Sequence, residues 1–241
     1  MAASDLYKPR NYKGFGIVYV NGVDVGNVKA VGLTISTTKN QIKNYRKVNG
    51  GNIFSAEKID AVEASMTLLD FNEANMGIAL RATFTELPAL AFTAVVKAGI
   101  AGRLVQLDRI ATFTSVMIEE GAVYRAAVEG VDFEKNAAGI KALVSANYKF
   151  NGTYDASTDL QALTKTAQTV EVVCVIENEY IAGEVRIIKL HKFAAAPLAA
   201  MAILGDEDAE MELKGEVLAD TSKPAGLSQF FVVQTKQVVA V

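Results

Sequence analysis

The sequence predicts a mainly β protein with a single α-helix, and three observations support this prediction. Segments 59–70 and 209–220 alternate apolar and polar residues with the period of two that is typical of half-buried strands. Short apolar runs separated by turn signals at roughly 8–12-residue spacing fill 87–153. Segment 70–82 spaces its apolar residues as a helix does, and FAAAPLAAMAILG at 193–205 is an ambiguous apolar link in which Pro197 could start a short helix.

The N-terminal part is predicted to begin with a β-hairpin. The first strand is GFGIVYV at 14–20, and NVKAVGLTIS at 27–36 is expected to return beside it. Asn21-Gly22 follows the first strand directly, and this dipeptide tolerates the positive φ angles of a tight hairpin turn.

A polar, basic segment at 37–58 follows, and it contains KNYRKVNGGN at 43–52. It has neither the strand period nor the helix period. A compact domain seldom keeps about 20 such residues between neighbouring strands unless they have a function. We therefore interpret 37–58 as a long loop, here called the arm, which reverses direction at Gly50-Gly51.

Segment 59–70 is the clearest strand of the N-terminal half. Its apolar positions are Val62, Ala64, Met66 and Leu68, and its polar positions are Glu63, Ser65 and Thr67. The helix is predicted next, over 70–82. Asn72 is its expected N-cap, and the expected buried positions are Met76, Ala79 and Leu80.

The middle of the chain differs from both ends, because 87–153 is a series of short β-like runs within Ala- and Gly-rich sequence. We interpret it as an inserted small all-β module. The core domain is then formed by 1–86 together with 154–241.

The C-terminal part predicts further strands. QTVEVVCVIENEY at 168–180 and EVRIIKLHKF at 184–193 form a hairpin, and LSQFFVVQTKQVVAV at 227–241 supplies the last strand. Between them, AEMELKGEVLAD at 209–220 alternates again. Its apolar positions are Ala209, Met211, Leu213 and Val217, and its polar positions are Glu210, Glu212, Lys214 and Glu216.

The sequence gives no sign of an enzyme, a cofactor or a metal site. It has no phosphate-binding glycine loop and no nucleophile elbow. The single cysteine, Cys174, and the single histidine, His191, are expected to be structural. Asp206, Glu207 and Asp208 lack the spacing of a calcium loop, and we interpret them as a solvated acidic turn. We expect no membrane span and no secretory signal, and therefore a soluble protein made in a cytoplasm.

The alternating acidic strands suggest a passage for a polyanion. Large barrels can line a water-filled channel with the polar faces of their strands. DNA binds proteins mainly through Lys and Arg contacts to its phosphates, so a wall rich in glutamate would let it slide. Solvent exposure alone would also explain such faces. The charge is also uneven: residues 1–50 hold eight Lys/Arg and two Asp/Glu, whereas 201–241 hold three and seven. This distribution favours contacts between copies of the chain, and a solvated mosaic of surface charges is the alternative explanation.

Several ordered segments resemble the major tail tube proteins of long-tailed bacteriophages and prophages, which are related to the tube of type VI secretion systems. These segments are NYKGFGIVYVNGVDVGNV at 11–28, IKNYRKVNGGN at 42–52, EASMTLLDFNEANMGIALRA at 63–82 and MAILGDEDAEMELKGEVLAD at 201–220. The resemblance covers about 10–82 and 168–235.

The resemblance implies a β-sandwich or barrel-like subunit with one flanking helix and an outward-facing inserted module. Six subunits would form a ring with a continuous inner β-barrel, and rings would stack into a tube that conducts double-stranded DNA without binding it specifically. The implied partners are other copies, the tape measure protein, and the tail terminator and baseplate or tip proteins. The implied location is the virion tail, assembled in the host bacterial cytoplasm.

The interpretation of the chain as a tail tube subunit predicts two sets of site residues. The residues expected to face the lumen are Glu63, Ser65, Thr67, Glu210, Glu212, Lys214 and Glu216. The residues expected to contact another subunit are Lys43, Asn44, Tyr45, Arg46, Lys47, Gly50 and Gly51, with Asp206, Glu207 and Asp208 as one plausible partner. The alternative is a β-rich tail-surface or glycan-binding module that uses exposed aromatics in 87–153, with Tyr124, Phe133, Tyr148 and Phe150 as candidates. A hydrolase is a third, more distant alternative.

Overall fold

The computed structural model describes residues 11–46, 48–201 and 208–236. The described part is mainly β with one short helix and several sheets, as predicted, and none of these sheets closes into a barrel. The chain divides into two compact units, one formed by Met1–Thr83 with Gln161–Val241 and the other by Phe84–Leu160. We call them unit 1 and unit 2. The module proposed from the sequence spans 87–153, inside unit 2. Within the described ranges, no helix is long and apolar enough to cross a membrane.

The chain forms seventeen strands and one helix across the described residues. The first elements are β1 Gly14–Val20, β2 Val23–Asp24, β3 Val28–Lys43, β4 Asn52–Leu68 and α1 Glu73–Ala79. The next are β5 Thr83–Leu87, β6 Leu90–Gly99, β7 Leu104–Gln106, β8 Ala111–Glu120, β9 Val123–Ala126, β10 Phe133–Asn136, β11 Gly139–Ala142, β12 Ala146–Tyr154 and β13 Ser157–Gln161. The last are β14 Thr169–Asn178, β15 Val185–Ala195, β16 Met211–Val217 and β17 Phe231–Thr235.

Unit 1 contains one large antiparallel sheet. Its strand order is β2-β1-β14-β15-β16-β4-β3, and β17 pairs with β15 beside this path. Strand β15 shares one edge between two partners, because Arg186–Leu190 pairs with β17 and Phe193–Ala195 pairs with β16. The core is formed by one face of β1, β4, β14, β15 and β16. Burying a large apolar side chain there contributes about 1.5–3 kcal/mol.

The predicted apolar faces of β4 and β16 are confirmed. All four apolar positions of β4 are at most 2% exposed, and Met211, Leu213 and Val217 of β16 are at most 1% exposed. Ala209 lies just before β16 and is half-buried. Alternation was informative here because one face of each strand packs on the core.

The predicted pairing of the first hairpin is wrong. Asn21 and Gly22 do form a tight turn, with φ angles of 49° and 78°, but the returning strand is the two-residue β2. Strand β1 pairs along its whole length with β14, from Gly14 opposite Asn178 to Val20 opposite Val172. Strand β3 pairs with β4 instead.

The prediction that the arm is an aperiodic loop is also wrong. Strands β3 and β4 continue through it as one long hairpin, and only residues 44–51 connect them. Beyond Ile35 on β3 and before Ala61 on β4, the described residues of both strands are exposed on both faces. Without a buried face there is no selection for alternation, which explains why the strand period is missing from the sequence.

Helix α1 begins as the sequence predicts. The Asn72 side chain accepts a hydrogen bond from the Asn75 backbone N at 2.8 Å, and this confirms the N-cap. The predicted buried positions are only partly right, because Ala79 is buried but Met76 and Leu80 are half-buried. Asn75 is fully buried. Its Nδ2 donates hydrogen bonds to the carbonyl oxygens of Val25 and Asp70, which compensate for the loss of water.

Unit 2 has two small sheets over a core of its own, and β5 pairs with β13 at the two ends of the unit. One sheet has the order β6-β12-β8-β9 and the other has the order β10-β11-β7. Tyr148 and Phe150 of β12 are fully buried in this core. Arg109 Nη2 donates to the carbonyl oxygens of Pro88 and Asp155 and so joins the two ends of the unit.

Candidate assembly surfaces

The pairing of β16 with β4 places six of the seven residues predicted to face a lumen on one sheet face. Directly opposite residues share a face, and the three pairs are Glu212 with Thr67, Lys214 with Ser65, and Glu216 with Glu63. Strand β3 extends this face with Thr34, which lies opposite Glu63. We call the six residues of these pairs, together with Thr34, the polar face.

The polar face lies on the side of the sheet that points away from the core. Its four charged residues are exposed, and Ser65 and Thr67 are half-buried. The seventh predicted residue, Glu210, lies just before β16 and is exposed. Its carboxylate forms an ion pair with Lys29 of β3 at 2.5 Å.

The electrostatics of the polar face are dominated by carboxylates. Lys214 Nζ lies 2.9 Å from Glu212 Oε2, so this cation is already neutralised along its own strand. Glu63 and Glu216 lie directly opposite each other, and neither has an ion-pair or hydrogen-bond partner among the described residues. Like charges in this arrangement destabilise a sheet. The described residues contain no group of three or more side chains suited to hold a metal ion.

An open depression of about 400 Å³ lies over the polar face. Its lining includes Thr34, Glu63, Ser65, Lys214 and Glu216. The polar face is open to solvent, and its charged residues are three glutamates and one lysine.

The arm tip carries Lys43 and Arg46, two of the three predicted basic residues, in exposed positions. Asn44 organises the tip: its backbone N donates to Gly51 O at 2.9 Å, and its Oδ1 accepts from the Arg46 backbone N at 3.0 Å. The connection between β3 and β4 includes Asn49, which has a φ of 63°, and it also includes Gly50 and Gly51, where the sequence predicts that the chain reverses.

The side chains at the tip are available for an intermolecular contact. Lys43, Tyr45 and Arg46 are exposed, and neither cation has an ion-pair partner among the described residues. Lys47 lies outside the described residues, as do Asp206 and Glu207 of the predicted acidic turn. Asp208 is exposed.

The arm also carries apolar side chains that were not predicted as site residues. Ile42 and Phe54 lie directly opposite each other, and they are 54% and 52% exposed. Ile53 and Ile59 on β4 are exposed as well. Contiguous exposed apolar groups mark interaction sites. The signal in the sequence was the presence of Ile42, Ile53 and Phe54 in the segment 37–58, which was otherwise interpreted as polar.

The residues considered for other functions are mostly structural. Phe133, Tyr148 and Phe150 are buried in unit 2, and only Tyr124 is half-buried, with Lys149 Nζ 3.8 Å from its ring centroid. Three of the four aromatic candidates for a binding module are therefore core residues. Cys174 is buried, and burial raises the pKa of its thiol to about 11.

Comparison with known proteins places the chain in a family. The model of the family described as "Protein of unknown function UCP028589" matches residues 12–234, which is most of the chain. The chain therefore belongs to this family. No curated protein matches it.

Proposed function

We propose that this member of a family of unknown function is the major tail tube protein of a long-tailed bacteriophage or prophage. Its copies would form hexameric rings that stack into the channel for double-stranded DNA. The segments that resemble such proteins support the proposal. The observation that carries it is the polar face: an exposed, mainly acidic sheet face formed by β4 and β16 and backed by the core of unit 1.

The polar face has the charge that a DNA conduit needs. Proteins hold DNA by placing Lys and Arg against its phosphates. Here the cation Lys214 is paired with Glu212, and Glu63 and Glu216 are left facing each other. In a ring, six such faces would surround the DNA with carboxylates. The duplex would then stay hydrated and move without pausing.

The open sheet edges give a physical reason for ring formation. Strand β3 is the last strand at one end of the sheet, and β1 is covered at its outer edge only by the two residues of β2. Unpaired edges are templates for strand addition from another chain. In the proposed ring, the sheets of neighbouring subunits join edge to edge, which produces the inner β-barrel and removes the open edges.

The arm is the proposed contact to an adjacent subunit or ring. It extends past the core, and its tip exposes the cations Lys43 and Arg46. The predicted partner was the acidic turn at 206–208, of which only Asp208 is described. The tape measure, terminator and baseplate proteins remain the other proposed partners, and unit 2 is proposed to face outward.

Negative-stain electron microscopy of the purified full-length protein tests the proposal. We expect rings or tubes of uniform bore. The double variant Lys43→Glu/Arg46→Glu should prevent stacking while its thermal melting curve stays close to that of the wild type.

The matched control is Arg103→Glu/Lys165→Glu, which makes the same change of charge at two exposed residues outside the arm. It should assemble normally. Dispersed wild-type monomers would contradict the tube proposal, and normal tubes from the arm variant would contradict the role of the arm.

A further inference from the structure

A second surface of unit 1 is apolar where a solvent-facing sheet should be polar. It is the face of β1, β14, β15 and β17 opposite the core. In its central row, Ile17 lies opposite Val175, and Val175 lies opposite Ile187. We call this surface the outer face. Its apolar members are Phe15, Ile17, Tyr19, Val173, Val175, Ile187 and Val232.

The strands under the outer face are apolar on both sides. Val18 follows Ile17 along β1, and Cys174 precedes Val175 along β14. The side chains of Val18 and Cys174 are buried in the core. On the other side, Phe15 is 56% exposed and Ile17 is 44% exposed. An antiparallel sheet with one face in water normally alternates between apolar and polar residues. Strands β4 and β16 of the same unit follow that rule, so the outer face has the composition of a surface that becomes covered.

The arm has the complementary properties. Its strands have no core under them, yet Ile42 and Phe54 form an exposed apolar pair, and Lys43 and Arg46 lie just beyond them toward the tip. The outer face offers an apolar centre, beside which Lys189 is already paired with Glu171 at 2.7 Å, and an acidic residue at its margin. Glu177 is exposed opposite Phe15 and has no ion-pair or hydrogen-bond partner among the described residues.

We propose that the outer face binds the arm of a second copy of this chain. The Ile42–Phe54 pair covers the row of Ile17, Val175 and Ile187, while the cations of the tip approach Glu177. This inference rests on the proposed function, since it names the surface to which the arm binds during assembly, in place of the acidic turn.

The geometry of such a contact determines which kind of oligomer the protein forms. The arm and the outer face are different surfaces, so each copy offers one of each to its neighbours. A heterologous contact of this kind produces closed rings or open filaments, and a self-complementary dimer contact produces neither. The same contact removes two apolar surfaces from water, which supplies its driving force.

Cross-linking between two variants of the full-length protein tests the contact. One variant carries Phe54→Cys on the arm, and the other carries Ile17→Cys on the outer face and an affinity tag. The native Cys174 is buried and stays unreactive. The two proteins are mixed under assembly conditions and treated with a short bismaleimide. We expect a tagged–untagged dimer at least tenfold more abundant than in a control mixture of Phe54→Cys with Val123→Cys, an exposed position in unit 2.

Each outcome decides between the proposals. An abundant dimer of the arm and outer-face variants supports the docking. Assemblies that form under the microscope without this dimer, or with only Phe54→Cys homodimers, overturn the docking and leave the tube intact. Folded protein that neither assembles nor cross-links overturns both. Val232→Cys replaces Ile17→Cys if the melting temperature of the latter falls.

Discussion

At the residue scale, Arg125 of unit 2 pairs with the buried carboxylate of Asp132. The Asp132 side chain is 2% exposed, and its two oxygens accept from Arg125 Nη1 at 2.7 Å and Nη2 at 2.9 Å. Asp132 also accepts from the Val128 backbone N at 2.8 Å. A bidentate guanidinium–carboxylate pair is among the stronger polar contacts in proteins. The hydrogen bonds from Arg125 lower the pKa of Asp132 below its ordinary value.

We predict that Asp132→Asn lowers the free energy of unfolding of unit 2 by about 1–3 kcal/mol at pH 7, because the buried carboxylate that accepts from Arg125 and Val128 is replaced by a neutral amide. Since the folded pKa is lowered, the contribution of the carboxylate is fully present above the unfolded pKa of about 3.9. It is lost as the pH falls through the folded pKa. The difference between wild type and variant should therefore shrink as the pH falls below about 4. Urea unfolding, monitored by hydrogen exchange in peptides from unit 2, measures the free energy of unfolding of both proteins at each pH.

The control for this prediction is Asp108→Asn. Asp108 also pairs with a cation, Lys97 at 2.9 Å, but its side chain is 73% exposed. Exposed ion pairs contribute about 0–1 kcal/mol, so this variant should behave almost as the wild type does at every pH. An equal decrease in the free energy of unfolding in both variants would contradict the prediction, because burial of Asp132 would then make no difference to its contribution.

At the element scale, β4 and β16 hold a repulsive pair. Glu63 and Glu216 lie directly opposite each other on the polar face. We predict that Glu216→Gln raises the free energy of unfolding of the monomer by about 0.2–1 kcal/mol at neutral pH and low salt, because it removes that repulsion. The gain should fade as salt screens the carboxylates. Chemical denaturation at two salt concentrations measures both effects.

The neighbouring position provides the control. Glu212→Gln removes the partner of Lys214 at 2.9 Å, so it should leave stability unchanged or slightly lower. If Glu216→Gln destabilised the chain by a similar amount, the carboxylate would have an attractive partner, and the account of a functional acidic face would fail.

The same strands show what the sequence could reveal. Val62 to Leu68 alternate strictly because every second side chain packs on the core, and the polar face follows from that register. The distal half of the same β4 strand has no buried face, so its sequence has no period and was interpreted as a loop. The pairing of β1 with β14 could not be predicted from the sequence for another reason. Gly14 pairs with Asn178, and no local pattern indicates a contact so distant along the chain.

At the scale of the whole molecule, two separate cores follow from the arrangement of the chain. One cluster of buried residues lies in unit 1 and includes Leu68, Val172 and Phe193, and the other lies in unit 2 and includes Ile118 and Phe150. A change in composition predicts an inserted module at 87–153, and this range lies within unit 2. Its boundaries at Phe84 and Leu160 were less visible, because β5 and β13 pair with each other there across a long stretch of sequence.

Unit 1 should therefore fold without unit 2. The two chain segments of unit 1 meet where unit 2 is inserted, since Leu163 N donates to Leu80 O at 2.8 Å and the hydroxyls of Thr83 and Thr164 lie 2.6 Å apart. A short Gly-Ser linker can replace Phe84–Leu160 without stretching the chain, and closing a short loop costs little entropy. We predict one cooperative melting transition for the shortened protein.

The shortened protein also tests which unit assembles. The polar face, the arm and the outer face all belong to unit 1, so electron microscopy should show tubes with the bore of the full-length protein and a smaller outer diameter. The matched comparison is the full-length chain purified in parallel, which controls for buffer and concentration. A shortened chain that folds but stays monomeric would move the assembly contacts to unit 2, because nothing else distinguishes the two proteins.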